Sequence, residues 1–282
     1  MSDPAGGPPA AVSSSDIAAA GFPPLASRTG PLVRAFLLDI AIAIIVLLVA
    51  SLASGIAWGV WRVVVVVQEN GGQAPEAAAI AGAIGEPGAL AQILMAAVGM
   101  SAAALVLYLV RRRATAVERR QSMAALRRRS TWSWTVLVGV AVFAGSTLLG
   151  YLMQLAGSEP VPTNMALVEE AARHWPVVLV LFAVVLAPAY EELLFRRVLF
   201  GRFLAAGRPW LGILLASLAF ALVHEVPGLS ANPPLAVLQL WLVYGGMGAA
   251  FAWLYWRTGT LWAPILAHAL NNGLALIVHG LA

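Results

Sequence analysis

The sequence predicts an all-α protein, a polytopic bundle of about seven to eight transmembrane helices. Three observations carry that prediction. Of its 282 residues, 61% are hydrophobic and only 11% are charged, whereas a soluble domain averages about 25% charged residues. The apolar residues run in unbroken stretches of the roughly 20 that a bilayer crossing needs, without the alternation of a membrane β-barrel. The charges gather between those stretches, as in RRRATAVERRQSMAALRRRS, residues 111–130.

Residues 1–30 are rich in Pro, Gly, Ser and Ala and read as a disordered N-terminal tail. They lack the basic start and apolar core of a signal peptide. Residues 31–174 read as an N-terminal set of membrane helices. The first span begins near Leu32 and runs on to Val67. That is more than one crossing requires, and it suits a tilted helix with an extramembrane extension around Arg62. Residues 68–88 form a loop with room for a short interfacial helix, and an eighth crossing within residues 32–88 would change the side of the N-terminus. The second span covers 89–110. Residues 111–130 then hold eight arginines against one glutamate, which places them in the cytoplasm by the positive-inside rule. The third span, 132–153, leads to a segment carrying Glu159, Glu169 and Glu170, which suits the opposite side. Residues 175–282 hold four further spans at 175–200, 210–225, 235–256 and 260–281, with VPGLSANPP (226–234) as a turn-rich loop. Seven spans put the N-terminus inside and the C-terminus outside.

Composition also excludes some chemistry. There is no cysteine, so disulfides, cysteine metal sites and cysteine nucleophiles are absent. All 17 basic residues other than histidine are arginine, and they cluster at the ends of apolar runs. That is a topology signal and not a nucleic-acid surface. The expected surroundings are the lipid bilayer, as a multi-pass protein. The arginine-only set, with so much Ala, Gly and Val, suits a GC-rich genome and hence a bacterial inner (plasma) membrane.

Three places put chemistry into the oily stretches. In APAYEELLFRRVLF (187–200), Glu191 and Glu192 follow a charge-free run. An ionisable group at the centre of a bilayer costs on the order of 3 kcal/mol, and such groups usually face a cavity or a partner. Glu192 and Arg196 are i and i+4, acid first, which is the favourable order on a helix. Glu191 is turned about 100° away and needs a partner from another helix. The competing reading is a helix-end salt bridge at the lipid interface. FALVHE (220–225) ends a span on His224, with Phe220 one turn back; an interfacial histidine is the plainer alternative. HALNNG (268–273) places His268 and Asn272 on one face, while Asn271 is turned aside and reads as helix–helix glue. A second glutamate pair, in ALVEEAARHW (166–175), lies in a polar segment and reads as a solvated helix face. His279 reads as structural.

Together, Glu191-Glu192-x-x-x-Arg196, Phe220-x-x-x-His224 and His268-x-x-x-Asn272, each on its own span, resemble the CAAX prenyl endopeptidase and bacteriocin-processing (CPBP, or Abi) family of intramembrane proteases. The resemblance covers about residues 175–281 and marks 175–282 as a CPBP-like catalytic part. It implies hydrolysis of a peptide or protein substrate. Glu191 would be the general base, assisted by His224. His268 and Asn272 would stabilise the oxyanion, and Glu192 and Arg196 would orient the set. Two histidines and a carboxylate are also a plausible zinc ligand set. The metal-free reading is preferred, with no cofactor, because Asn272 is a poor zinc ligand and a good oxyanion donor. The alternative function is a non-catalytic membrane protein of the same fold: a transporter, a scaffold or a bacteriocin-immunity factor. Other intramembrane protease signatures, such as His-Glu-x-x-His, Gly-x-Gly-Asp and Gly-x-Ser-Gly, do not occur.

Overall fold

The computed structural model describes residues 29–73, 76, 80, 82 and 84–280. Residues 1–28 of the expected tail lie outside the described residues. Among the described residues there is no strand. The principal helices are α1 (Thr29–Glu69), α2 (Ala89–Arg111), α3 (Ala116–Leu126), α4 (Arg129–Leu155), α5 (Met165–His174), α6 (Pro176–Ala205), α7 (Pro209–His224), α8 (Pro234–Thr258) and α9 (Trp262–Val278). Five of them, α1, α2, α4, α6 and α8, are long and apolar enough to cross a membrane, while α7 and α9 are shorter apolar helices. The chain is a multi-pass integral membrane protein.

Proline punctuates the helix starts. Pro176, Pro209 and Pro234 each occupy the first turn of their helix, where a missing N–H costs nothing. Gly259 ends α8 with φ of 72°, a left-handed position that glycine adopts without strain. The threonines on either side of it are buried, with Thr258 bonded back to Leu254 and Thr260 fully enclosed.

Close helix contacts rest on glycine. A methyl group on Gly139 of α4 would sit 2.9 Å from the Ala267 carbonyl of α9. One on Gly248 of α8 would meet the Ser217 Cα of α7 at 3.0 Å. Small residues let apolar helices approach where lipid offers no hydrophobic drive for association. α7, α8 and α9 also each pack on α6, so the core lies along α6 and includes Phe195, Phe200, Phe203, Phe220 and Phe251.

Charge ties the arginine-rich end together. Asp39 of α1 is fully buried and paired with Arg111 of α2 at 2.7 Å and with Arg202 of α6. Arg197 of α6 grips both oxygens of Glu118 in α3, at 2.9 and 3.1 Å. That hydrogen bonding holds the Glu118 carboxyl down to about 2. At the other end Glu170 of α5 is half-buried and accepts from the Ala89 N–H at 3.2 Å, so it caps α2. The glutamate pair of residues 169–170 is therefore divided: Glu169 is exposed, as expected of a solvated face, and Glu170 is a structural cap.

Candidate active site

α6 is not a uniform α-helix. Leu181–Leu186 and Leu193–Phe200 are wound as π-helix around an α-helical centre, Ala187–Glu192. Such i→i+5 stretches are rare and occur frequently at functional sites. Here the winding has a local consequence. The Ala187 N–H bonds the Phe182 carbonyl five residues back. The next donor in that register would belong to Pro188, which has none. The Ala183 carbonyl is left over, and Asn272 of α9 donates to it from Nδ2 at 2.9 Å. Asn271 donates to the Asn272 Oδ1 at 3.0 Å and so fixes which way the amide faces.

The two glutamates of α6 diverge as their 100° separation requires. Glu192 is fully buried. The Nε of Arg196 lies 2.9 Å from its Oε2. That oxygen makes no aligned hydrogen bond, so the pair is held mainly by charge. The other oxygen, Oε1, lies 2.9 Å from Nδ1 of His268. Arg196 is enclosed by aromatic faces, with its guanidinium 4.5 Å from the Phe220 ring centre and 5.4 Å from that of Phe251.

Glu191 turns toward two histidines from other helices. Its Oε2 is 3.7 Å from Nε2 of His224 and 3.9 Å from Nε2 of His268. These are too long for direct hydrogen bonds, and this buried oxygen has no hydrogen-bond partner. Both distances suit a small polar atom shared among the three groups.

His224 reaches this point despite ending its helix. α7 has only 16 residues, about 24 Å of rise, so its last residue does not overshoot the site. α6 and α7 are consecutive helices joined by a tight turn, and side chains lean toward each helix's own N-terminus. Glu191 and His224 therefore lean toward each other. The His224 Nδ1 lies 2.8 Å from the Phe220 carbonyl. A carbonyl only accepts, so Nδ1 is the donor here and Nε2 is the nitrogen turned toward Glu191.

The structure thus brings Glu191, Glu192, Arg196, His224 and His268 into one cluster. Asn272 hydrogen-bonds to none of the other five and instead braces α6 at Ala183, about two turns before Glu191. Two aromatic residues complete the walls, and sequence reasoning did not single them out. Tyr244 of α8 stacks on His224, with ring centres 4.6 Å apart and planes at 27°. Phe251 stacks on His268 at 5.0 Å and 29°. Glu225, next to His224, faces away from the cluster. It accepts from Thr163 Oγ1 at 2.9 Å and from Asn232 Nδ2 at 3.2 Å, tying together the loops that follow α4 and α7.

As a metal centre the cluster has suitable chemistry, one carboxylate and two imidazoles. Among the described residues no group of three or more His, Cys, Asp or Glu side chains is placed to hold an ion. What the arrangement offers is a carboxylate and a ring nitrogen able to take protons, beside a second ring backed by a buried carboxylate.

Comparison with known proteins agrees with the three motifs. Residues 173–274 match the family described as Type II CAAX prenyl endopeptidase Rce1-like. The chain is 32% identical over 103 residues to YdiL of Bacillus subtilis, named as a membrane peptidase, covering 36% of this chain and 37% of that one. It is 32% identical over 132 residues to MroQ of Staphylococcus aureus, named as a membrane-embedded CAAX protease, covering 45% and 49%. The matches span less than half the length of these curated relatives. No solved structure matches. The resemblance is therefore to membrane peptidases of the CAAX protease type.

Proposed function

We propose that this chain is an intramembrane endopeptidase that hydrolyses a peptide bond with a water activated by Glu191 and His224, without a metal. The observation that carries this reading is the buried Glu191 oxygen, which has no hydrogen-bond partner and is faced at 3.7 and 3.9 Å by the Nε2 atoms of His224 and His268. Residues 175–282 are the proposed catalytic part, and a bacterial inner membrane is the proposed location.

In this mechanism Glu191 takes a proton from water, and the resulting hydroxide adds to the carbonyl carbon of the substrate. His224 shares that proton through Nε2. The carbonyl oxygen becomes an oxyanion, which needs donors aimed at it. His268 can serve only if Nε2 carries a proton. Its Nδ1 faces Glu192, so the ring in that role is an imidazolium, and the buried carboxylate stabilises it. Arg196 holds Glu192 in place. Asn272 has one N–H committed to Ala183 and a second one free to donate. The proton held by Glu191 and His224 then passes to the leaving amine as the C–N bond breaks.

The test uses purified protein in lipid nanodiscs with a panel of fluorogenic peptides. Losing a catalytic acid or base costs roughly 10²–10⁴-fold. Glu191→Gln and His224→Ala should each fall that far while melting near the wild-type temperature. Retention of more than about a tenth of the activity in either would sink the assignment. Chelation and metal analysis run alongside. Stoichiometric zinc, with activity lost on chelation and restored by zinc, would replace the metal-free step and leave the protease reading standing. Absence of cleavage with an intact cellular phenotype in Glu191→Gln would instead favour a non-catalytic role.

A further inference from the structure

The fold sorts the eight arginines of residues 111–130 into two sets. Three are used internally: Arg111 pairs with Asp39 at 2.7 Å, Arg112 donates to the Gly201 carbonyl at 2.9 Å, and Arg119 donates to the Ala114 carbonyl at 2.6 Å. Arg113, Arg120, Arg127, Arg128 and Arg129 are exposed. No hydrogen bond or ion pair of their side chains occurs among the described residues. The segment has a single acid, Glu118, and Arg197 occupies both of its oxygens. Nothing within the segment offsets the five free cations.

Of the five, Arg120 lies on α3, Arg113 precedes it, and Arg127, Arg128 and Arg129 follow directly after its last residue. α3 faces the bundle with Glu118, Ser122 and Ala125, spaced i, i+4, i+7; Ser122 bonds Thr260 at 2.8 Å. Its other face forms an open groove lined by Ala116, Arg119, Arg120, Met123, Ala124 and Arg127. Met123 and Val117 are 55% and 62% exposed. Cations and apolar side chains therefore share the outward surface.

Connectivity decides what that surface meets. Residues 112–115 join α3 to the end of α2, and residues 127–128 join it to the start of α4. Both neighbours are long enough to cross the membrane. An 11-residue helix tethered so shortly at both ends stays in the headgroup layer. Trp132, at the start of α4, is half-exposed and donates its indole N–H to the Leu126 carbonyl at 2.9 Å, in keeping with an interfacial aromatic.

We propose that the outer face of α3, together with the free arginines that flank it, is a binding surface for anionic phospholipid, with guanidinium groups on the phosphates and Val117 and Met123 against the glycerol and upper acyl region. Guanidinium forks match phosphate oxygens bidentately, and juxtamembrane basic clusters are drawn to anionic leaflets. The tether and the apolar residues between the cations favour a lipid over a soluble acidic peptide. This surface does not depend on the peptidase reading.

Native mass spectrometry of the full chain in detergent tests it, with phosphatidylglycerol and phosphatidylcholine as the two probes. The variant Arg120→Gln/Arg127→Gln/Arg128→Gln removes three unpartnered cations. Arg34→Gln/Arg173→Gln/Arg208→Gln removes the same charge from elsewhere on the surface. Wild type and the second variant should retain phosphatidylglycerol at least about tenfold over phosphatidylcholine, and the first variant should lose that preference. Melting curves establish that both variants are folded. In the wild type alone, the preference should decline with added salt. Equal retention of the two lipids by wild type, or an undiminished preference in the first variant, would overturn the proposal. Displacement of the lipid by millimolar inorganic phosphate, or by a soluble poly-glutamate peptide, would overturn it too, in favour of a free-phosphate or peptide site.

Discussion

Replacing Arg196 with alanine tests whether the centre of the site is held by charge. The side chain is 1% exposed, 2.9 Å from Glu192 and packed over Phe220 at 4.5 Å. Removing it leaves Glu192 enclosed, with His268 as its remaining partner at 2.9 Å. Breaking a buried pair costs about 3–5 kcal/mol. The surviving bond to His268 keeps the acid from full isolation, so the lower end, about 3 kcal/mol, is expected. At roughly 2–4 °C per kcal/mol for a chain of this size, the melting temperature should fall by about 6–12 °C. The assay is thermal unfolding at fixed detergent and lipid, run with Glu192→Gln, Arg196→Gln and Glu192→Gln/Arg196→Gln. The double variant replaces both charges with amides and should recover part of the loss, because no unpaired charge remains. A coupling of more than about 1 kcal/mol between the two positions is expected for groups in direct contact. If Arg196→Ala and the double variant melt alike, the pair is not what holds this region and the argument fails. Activity should also fall in Arg196→Ala, because His268 would lose the orientation that Glu192 gives it.

Three further outcomes follow from the same geometry. Asn272→Ala should strand the Ala183 carbonyl at a cost of about 1–3 kcal/mol and lower turnover by ~100- to 1,000-fold if the free N–H is an oxyanion donor; a melting shift with unchanged turnover of the folded protein would leave it only a brace for α6. Tyr244→Phe should keep the stack on His224 and nearly all activity, whereas Tyr244→Ala should lower kcat by up to about tenfold, the worth of one aromatic pair, and loss in the phenylalanine variant would show that the hydroxyl matters instead. For Glu225, burial pushes the carboxyl up, but hydrogen bonds from Ser230, Thr163 and Asn232 outweigh it and leave it below its ordinary 4.5. A depressed carboxyl stabilises above its unfolded value and is lost as pH falls through the folded one, so proteolysis within residues 226–234 should speed up below about pH 4.5, and Glu225→Gln should abolish that pH dependence.

The spans were legible because apolar run length is a direct physical requirement of the bilayer, and α2, α4, α6 and α8 begin and end within a few residues of their expected limits, or five at most for α6. The glutamates and histidines stood out for the related reason that ionisable groups are expensive in such runs. Asp39 broke the same rule in the first span, but its partners, Arg111 and Arg202, lie 72 and 163 residues further along. Pairing over that distance depends on how the helices pack. Tyr244 and Phe251 carry no local mark that separates them from any other core aromatic, and only the positions of His224 and His268 give them a role.

Asn272 shows most clearly where sequence reasoning stops. Its spacing from His268 put two polar groups on one face, and the family resemblance implied that both serve one oxyanion. The structure gives one of its hydrogens to Ala183. That acceptor exists because the π winding of α6 meets Pro188, where the expected donor is missing. The proline was visible in APAYEE, but an α-helical register would have assigned its missing bond to Val184. A change of one residue in register moves the free carbonyl to Ala183, the one that Asn272 reaches. The same bond ties α9, which carries His268, to α6, which carries Glu191, so the spacing between those two groups depends on the amide. A substitution that keeps the amide but lengthens it, Asn272→Gln, would therefore disturb catalysis through that spacing even if a donor remained.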